Sequence, residues 1–121
     1  MKLGRKITSG KYHKLSKKKK YSLRGEERKV KLRETKNKTL RGMGGHKKTI
    51  LLSSDMANVI DPKTKKSKKV KILNVLETPS NRFLARQNVL IKSAIIETEL
   101  GKAKITNRPS QEGNVQAILI K

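Results

Sequence analysis

The 121-residue sequence contains no cysteine, so it builds neither a disulfide framework nor a thiolate metal site. Aromatic residues make up 2% of it, and Tyr12, Tyr21 and Phe83 are all there are. The core must therefore be aliphatic and modest, since aromatic rings are the largest single contributors of buried surface. No run of about 18 apolar residues occurs, which leaves no stretch able to span a membrane. The N-terminal region lacks the apolar centre of a signal peptide. Acidic residues are also scarce: nine Asp and Glu stand against 32 Lys and Arg, a formal charge of +23. Such a charge opposes the compact state by self-repulsion, and a polyanion is needed to offset it. These absences predict a soluble, intracellular chain whose partner is a polyanion.

What is present is unevenly placed. Residues 1–48 hold 19 Lys and Arg with 3 Glu, while residues 49–121 hold 13 with 6 acids. About two thirds of the excess charge thus lies in the first two fifths of the chain. The length suits one domain with a tail, which is read as an arm over residues 1–24 and a β-rich body over residues 25–121. In the arm, Leu3, Ile7, Leu15 and Leu23 share no sustained period, and Lys17-Lys18-Lys19-Lys20 is a block of like charge. Such a segment cannot offset its own ordering entropy, so it is expected to be extended and to order on a partner.

The body reads as short strands. Lys29-Val30-Lys31-Leu32-Arg33 alternates, with Val30 and Leu32 inward and the bases outward. Asn37 to His46 is Gly-rich and basic and is predicted to be a loop. Lys48 to Leu52 and Met56 to Ile60 are predicted strands, with Ser53-Ser54-Asp55 as the turn between them. Asp61 to Lys69 is predicted to be a basic loop, after which Val70, Ile72 and Leu73 to Leu76 resume a strand. Thr78-Pro79-Ser80-Asn81 breaks the pattern and offers a cap for one helical turn over Arg82 to Gln87. On that turn Phe83 faces the core, and Arg82 and Arg86, four apart, share an outer face. Val89-Leu90-Ile91, Ala94-Ile95-Ile96, Ala103-Lys104-Ile105 and Val115 to Ile120 complete the strands, with turns at Leu100-Gly101 and Pro109 to Gly113. This spacing predicts a mainly β fold: a small antiparallel barrel-like body, an extended basic N-terminal arm and at most one short helical turn.

Catalytic and cofactor constellations do not form. His13 and His46 sit in basic, Gly-containing loops without further ligands, so no metal site and no cofactor are expected. Glu97 and Glu99 are two apart on a strand and could pass for a carboxylate pair, but a solvated face balancing Lys102 and Lys104 accounts for them. Gly42-Met43-Gly44-Gly45 followed by Lys47 and Lys48 lacks the G-x-x-x-x-G-K-[ST] spacing of a nucleotide-binding loop. Its backbone amides remain suited to a nucleic-acid phosphate. Asn37-Lys38-Thr39 matches a glycosylation acceptor without a secretory signal to make it relevant. Lys outnumbers Arg by 24 to 8, which favours many point-charge phosphate contacts over bidentate base reading. The paired aromatics of an RNA-recognition-motif sheet, zinc-finger ligands and a helix-turn-helix pattern are all absent. The residues point to shape recognition of folded RNA by basic arms and loops, with no enzymatic activity and no small-molecule substrate.

Four separated motifs, in order, carry a resemblance. Gly4-Arg5-Lys6-Ile7-Thr8-Ser9-Gly10-Lys11 opens the chain, followed by Lys19-Lys20-Tyr21 with Leu23, and then Gly44-Gly45-His46-Lys47-Lys48. The last block comprises Asn81-Arg82, Arg86 to Val89, Ile91 to Glu99, Gly101-Lys102-Ala103 and Thr106 to Gly113. Together they resemble the S-eight-e family of small-subunit ribosomal proteins of archaea and eukaryotes, nearly end to end, and the length is similar to the archaeal form. Ser9 stands where the family has a second glycine, so a tight φ > 0 turn is not expected there. Ser22 stands for Glu, and Met43 and His46 stand for Arg and Asn, which removes one expected phosphate contact at Met43. The resemblance implies a structural constituent of the ribosome, in the cytoplasm, bound to small-subunit ribosomal RNA and next to neighbouring ribosomal proteins, supporting assembly and translation. A transient assembly factor on precursor RNA and, more distantly, a DNA-compacting protein are the alternatives. The expected RNA contacts are Arg5, Lys6, Lys11, His13, Lys14, Lys17, Lys18, Lys19, Lys20 and Arg24 along the arm. Arg41, Gly44, Gly45, His46, Lys47 and Lys48 are expected in the loop, and Arg82, Arg86 and Arg108 on the body.

Overall fold

The computed structural model describes residues 4–12, 17–23, 25 and 27–120. In chain order the strands are β1 (Lys31–Leu32), β2 (Lys36–Arg41), β3 (Lys47–Ser54), β4 (Met56–Ile60) and β5 (Ser67–Glu77). Helix α1 (Arg82–Arg86) follows, then β6 (Ile95–Thr98), β7 (Gly101–Ile105), helix α2 (Pro109–Glu112) and β8 (Gln116–Leu119). Strands β4 to β8 close into a barrel in sequence order. All its neighbours are antiparallel except the closing pair, where β4 and β8 run parallel with Val59 opposite Ala117. The expected mainly β, barrel-like body is therefore present.

Period-two alternation supplies the barrel interior. Strand β4 buries Ala57 and Val59, β7 buries Ala103 and Ile105, and β8 buries Ala117, while the residues between them face out. A closed barrel of five strands has a narrow interior. It is filled by alanines and aliphatics, with Ala94, Val70, Ile72, Val75, Ile96, Leu90 and Val115 completing the set. Nothing wider fits, and the described aromatics lie outside: Phe83 is 68% exposed, where the sequence reading had placed it against the core. Along β5 the parity breaks. Register shifts between Ile72 and Asn74 and between Val75 and Glu77 bury Val75 and leave Leu73 and Leu76 on the surface. A bulge inserts one residue and so moves side chains to the opposite face.

The remaining strands form a three-stranded sheet in the order β1-β3-β2, joined to the barrel by Val30 and Leu51, which share one core with it. Asn37 to Arg41, predicted to be loop, belongs to β2, paired antiparallel along β3. Only Leu40 of the six β2 residues is even half-buried, so no hydrophobic alternation marks the strand and backbone pairing alone defines it. Val89 to Ile91, predicted to be a strand, forms a single bridge from Val89 to Lys31. Leu90 N–H donates to the Val30 carbonyl at 2.7 Å. Left-handed residues at Asn88 (φ 51) and Ser93 (φ 67) confine this segment at both ends.

Both helices are single turns. In α1 the Asn81 side chain accepts from Phe83 N–H at 3.0 Å, satisfying one of the amides that a helix start leaves unpaired. Helix α2 stands where only a turn was expected, so the described residues of the body hold two α-helical turns rather than at most one. Pro109 at the start and left-handed Gly113 (φ 73) at the end are helix signals; spaced by one turn, they read equally well as a loop. Asn107, buried beside α2, donates to the Asn114 carbonyl at 2.9 Å and accepts from Gln116 N–H at 3.1 Å. No buried polar side-chain atom among the described residues lacks a partner.

A methyl at Gly113 would meet the Thr49 carbonyl oxygen of β3 at 3.2 Å, on a left-handed backbone. Gly113→Ala is expected to cost about 1–3 kcal/mol, measured as a lower urea midpoint at unchanged slope. A second outcome concerns Asp55. The Thr35 hydroxyl, donating at 2.6 Å, and then Asp55's own backbone hold its carboxyl below the ordinary value of 3.8, with Lys71 and Lys69 adding smaller attraction. A depressed folded-state value contributes stability above the unfolded value and loses it as pH falls through the folded one. Thr35→Val should therefore move the Asp55 titration up toward 3.8, followed by carboxyl-carbon NMR, and shrink the loss of stability on acidification.

Candidate nucleic-acid interface

Every lysine and arginine among the described residues is exposed. The acids do little to neutralise them: Asp61 accepts from Lys63 N–H and the Thr64 hydroxyl, and Glu112 accepts from Arg108 N–H. These carboxylates serve backbone turns. The cations are left to face outward, and the question is which of them the fold brings together.

One grouping is the end of the β2–β3 ribbon. Arg41 lies directly opposite Lys47, and Leu40 opposite Lys48. Like charges in directly opposed positions destabilise a β-pair, so this end of the ribbon is electrostatically incomplete without an anion. A 3-10 turn over Met43–Gly45 closes it, with Gly42 N–H donating to the His46 carbonyl at 2.6 Å. Gly44 (φ 67) and Gly45 (φ 76) are both left-handed, a backbone that glycine adopts without cost. Met43 crowns the turn at 95% exposure. Arg41, Gly44, Gly45, His46, Lys47 and Lys48, expected together in one loop, are together, but on a paired ribbon.

In the N-terminal region the described residues form two local pieces. Arg5 bridges Lys11, Lys6 N–H donates to the Gly10 carbonyl at 2.9 Å, and Ser9 N–H donates to the Lys6 carbonyl at 2.9 Å. Ser9 has φ 62. The φ > 0 turn not expected at a serine is present, because these two hydrogen bonds close the turn around it. The Lys6 ammonium sits 5.7 Å from the Tyr12 ring centroid, and that of Lys19 lies 5.8 Å from Tyr21. Lys17 to Lys20 are exposed, and Ser22 donates its hydroxyl to the Lys19 carbonyl at 2.9 Å. His13, Lys14 and Arg24 lie outside the described residues.

The three body arginines fall into two places. Arg82 and Arg86 project from α1 beside Phe83 and line a depression of about 670 Å³. Arg108 lines a different one, of about 660 Å³, with Arg28 and Lys92. Sequence reasoning missed Arg28 and Lys92, which no linear motif joins to Arg108. It also left out Lys69 and Lys71, which alternate with buried Val70 and Ile72 on β5 and so share its outer face; that alternation was the available signal. Glu97 stands opposite Lys102 across β6 and β7, a solvated charge pair. Among the described residues no three His, Cys, Asp or Glu could hold a metal ion, and no helix is long and apolar enough to cross a membrane.

Comparison with known proteins shows what the chain is similar to. The sequence model of the family described as Ribosomal protein S8e matches residues 1–120. Proteins named small ribosomal subunit protein eS8 are similar along nearly the whole chain. That of Sulfurisphaera tokodaii is 48% identical over 118 residues, covering 97% of this chain and 92% of its own. The Methanococcus aeolicus protein is 50% identical over 117 residues, 96% and 91% of the two chains. The Methanosarcina barkeri protein is 40% identical over 116 residues, 96% and 93%.

Relieving the opposed charges tests the ribbon. Lys47→Thr should raise the stability of the free protein by roughly 0.2–1 kcal/mol while weakening its binding to a polyanion. Urea unfolding and heparin-column retention at matched salt measure the two; a variant less stable than the parent would mean the opposition costs nothing.

Proposed function

The chain belongs to the Ribosomal protein S8e family, and from that premise we propose that it is a structural, non-catalytic constituent of the small ribosomal subunit. It binds ribosomal RNA through a lysine-rich arm over residues 1–24 and through basic elements of the β-body over residues 25–121. The observation that carries this reading is the unneutralised ribbon end, where Arg41 and Lys47 oppose each other next to Lys48. RNA phosphate is the anion that completes it, and exposed Gly44 and Gly45 allow a backbone to approach closely.

The arm residues Arg5, Lys6, Lys11, His13, Lys14, Lys17 to Lys20 and Arg24 reach phosphates that a globular surface does not. Arg82, Arg86 and Arg108, with Arg28 and Lys92, hold the body against the RNA. Binding of this kind releases counterions and also raises the stability of a small, highly charged body by mass action. Its place is the cytoplasmic ribosome, among small-subunit RNA and adjacent ribosomal proteins.

The experiment is a salt titration of binding to small-subunit ribosomal RNA. Each phosphate-contacting lysine changed to alanine should lower the log–log salt slope by about 0.7–0.9 and weaken all sequences alike. Removing residues 1–24 should leave the far-ultraviolet spectrum of the body unchanged while most of the slope disappears. A slope near zero for the whole protein would sink the proposal. Retention on mature subunits washed at high salt is expected of a constituent, whereas loss in the wash would indicate a transient assembly factor.

A further inference from the structure

Phe83 is the only aromatic residue in the body, and it is 68% exposed. Its exposure is not looseness. Its own N–H is held by the Asn81 side chain at 3.0 Å, and the Asn81 carbonyl accepts the hydroxyl of buried Thr78. The helical turn is further closed by Leu84 N–H to the Asn81 carbonyl at 3.1 Å. The ring thus leaves the surface from a fixed backbone. It lines a depression of about 670 Å³ with Leu76, Glu77, Arg82 and Arg86. Both arginines are exposed beside it.

We propose that Phe83 is a stacking platform for one unpaired RNA base, seated in this depression with its flanking phosphates against Arg82 and Arg86. The inference rests on the RNA-binding reading above and gives it a contact of different physics. A flat ring stacks on a base of any sequence, and the guanidinium groups lining the same depression supply charge for phosphate or a second stacking plane. Leu76 offers an apolar edge, and the Glu77 carboxylate accepts a hydrogen bond from a base's exocyclic amino group. Charge complementarity selects the occupant: an apolar protein side chain would use Phe83 and Leu76 but would leave two arginines unmatched. Bases of continuous duplex RNA are stacked on one another and cannot reach the ring, so the site selects loops, bulges or ends.

The test uses the full chain and two RNA probes of equal length, one hairpin with an unpaired loop and one continuous duplex. Phe83→Ala should weaken loop binding roughly 5- to 150-fold, the range of one lost base stack. Duplex binding and the salt slope of both should not change, because no charge is removed. Phe83→Trp should restore loop binding. A loop carrying 2-aminopurine should show fluorescence quenching with the parent and the Trp variant and none with the Ala variant. Exposure of the ring means the variants fold, checked by an unchanged urea midpoint. Equal binding of parent and Ala variant to the loop overturns the proposal, as does equal weakening on loop and duplex. Loss of subunit co-sedimentation with unaltered RNA binding also overturns it and assigns the ring to a protein neighbour. A parent protein with no salt slope would instead fail the RNA-binding reading itself, which keeps the two failures apart.

Discussion

Closure of a narrow barrel between β4 and β8 is the constraint on which the rest of the structure depends. Once Val59 pairs with Ala117, five strands enclose an interior filled by small and aliphatic side chains. Ala57, Ala94, Ala103 and Ala117 are there because larger residues would overfill it. Everything wide or charged is excluded. The chain has 32 cationic residues and three aromatic ones, so exclusion from the barrel largely decides what its surface is made of.

That surface is costly to the isolated protein. A small body buries a limited fraction of its area and has little stability in reserve, while net charge of this size works against compactness. The fold does not relieve the repulsion with its few acids, several of which fasten turns instead. It concentrates it, at Arg41 opposite Lys47 and around Arg108 with Arg28 and Lys92. Such an arrangement is poor for a free protein and suited to one that works bound to a polyanion. Under the proposed function the two situations are linked, because the interaction that removes the repulsion is also the one that binds RNA.

Legibility in the sequence followed burial. Strands β4, β7 and β8 were readable because each has one face inside the barrel, so alternation appears in the residues themselves. Strand β2 was not, since its side chains face solvent and its position is defined by backbone bonds to β3. On β5 the run Leu73 to Leu76 was recognised as strand, but two register shifts decide that Val75 points inward. Phe83 reads as core-facing on a helical turn whose arginines share the outer face, yet the fold leaves it 68% exposed on α1. Ser9 shows the same limit, since hydrogen bonds around it hold a φ of 62 that residue type disfavours.

Composition and local pattern by themselves determined that the protein is cationic, aliphatic-cored and mainly β, and four ordered motifs carried the family. Those properties are sums or short-range periodicities, so a linear reading captures them. Which cations meet was decided only by tertiary structure. Arg28, Lys92 and Arg108 are far apart in sequence, and Arg41 and Lys47 face each other only through the register of a ribbon. Cross-strand register and barrel diameter are properties of closure, and no single segment of the chain contains them.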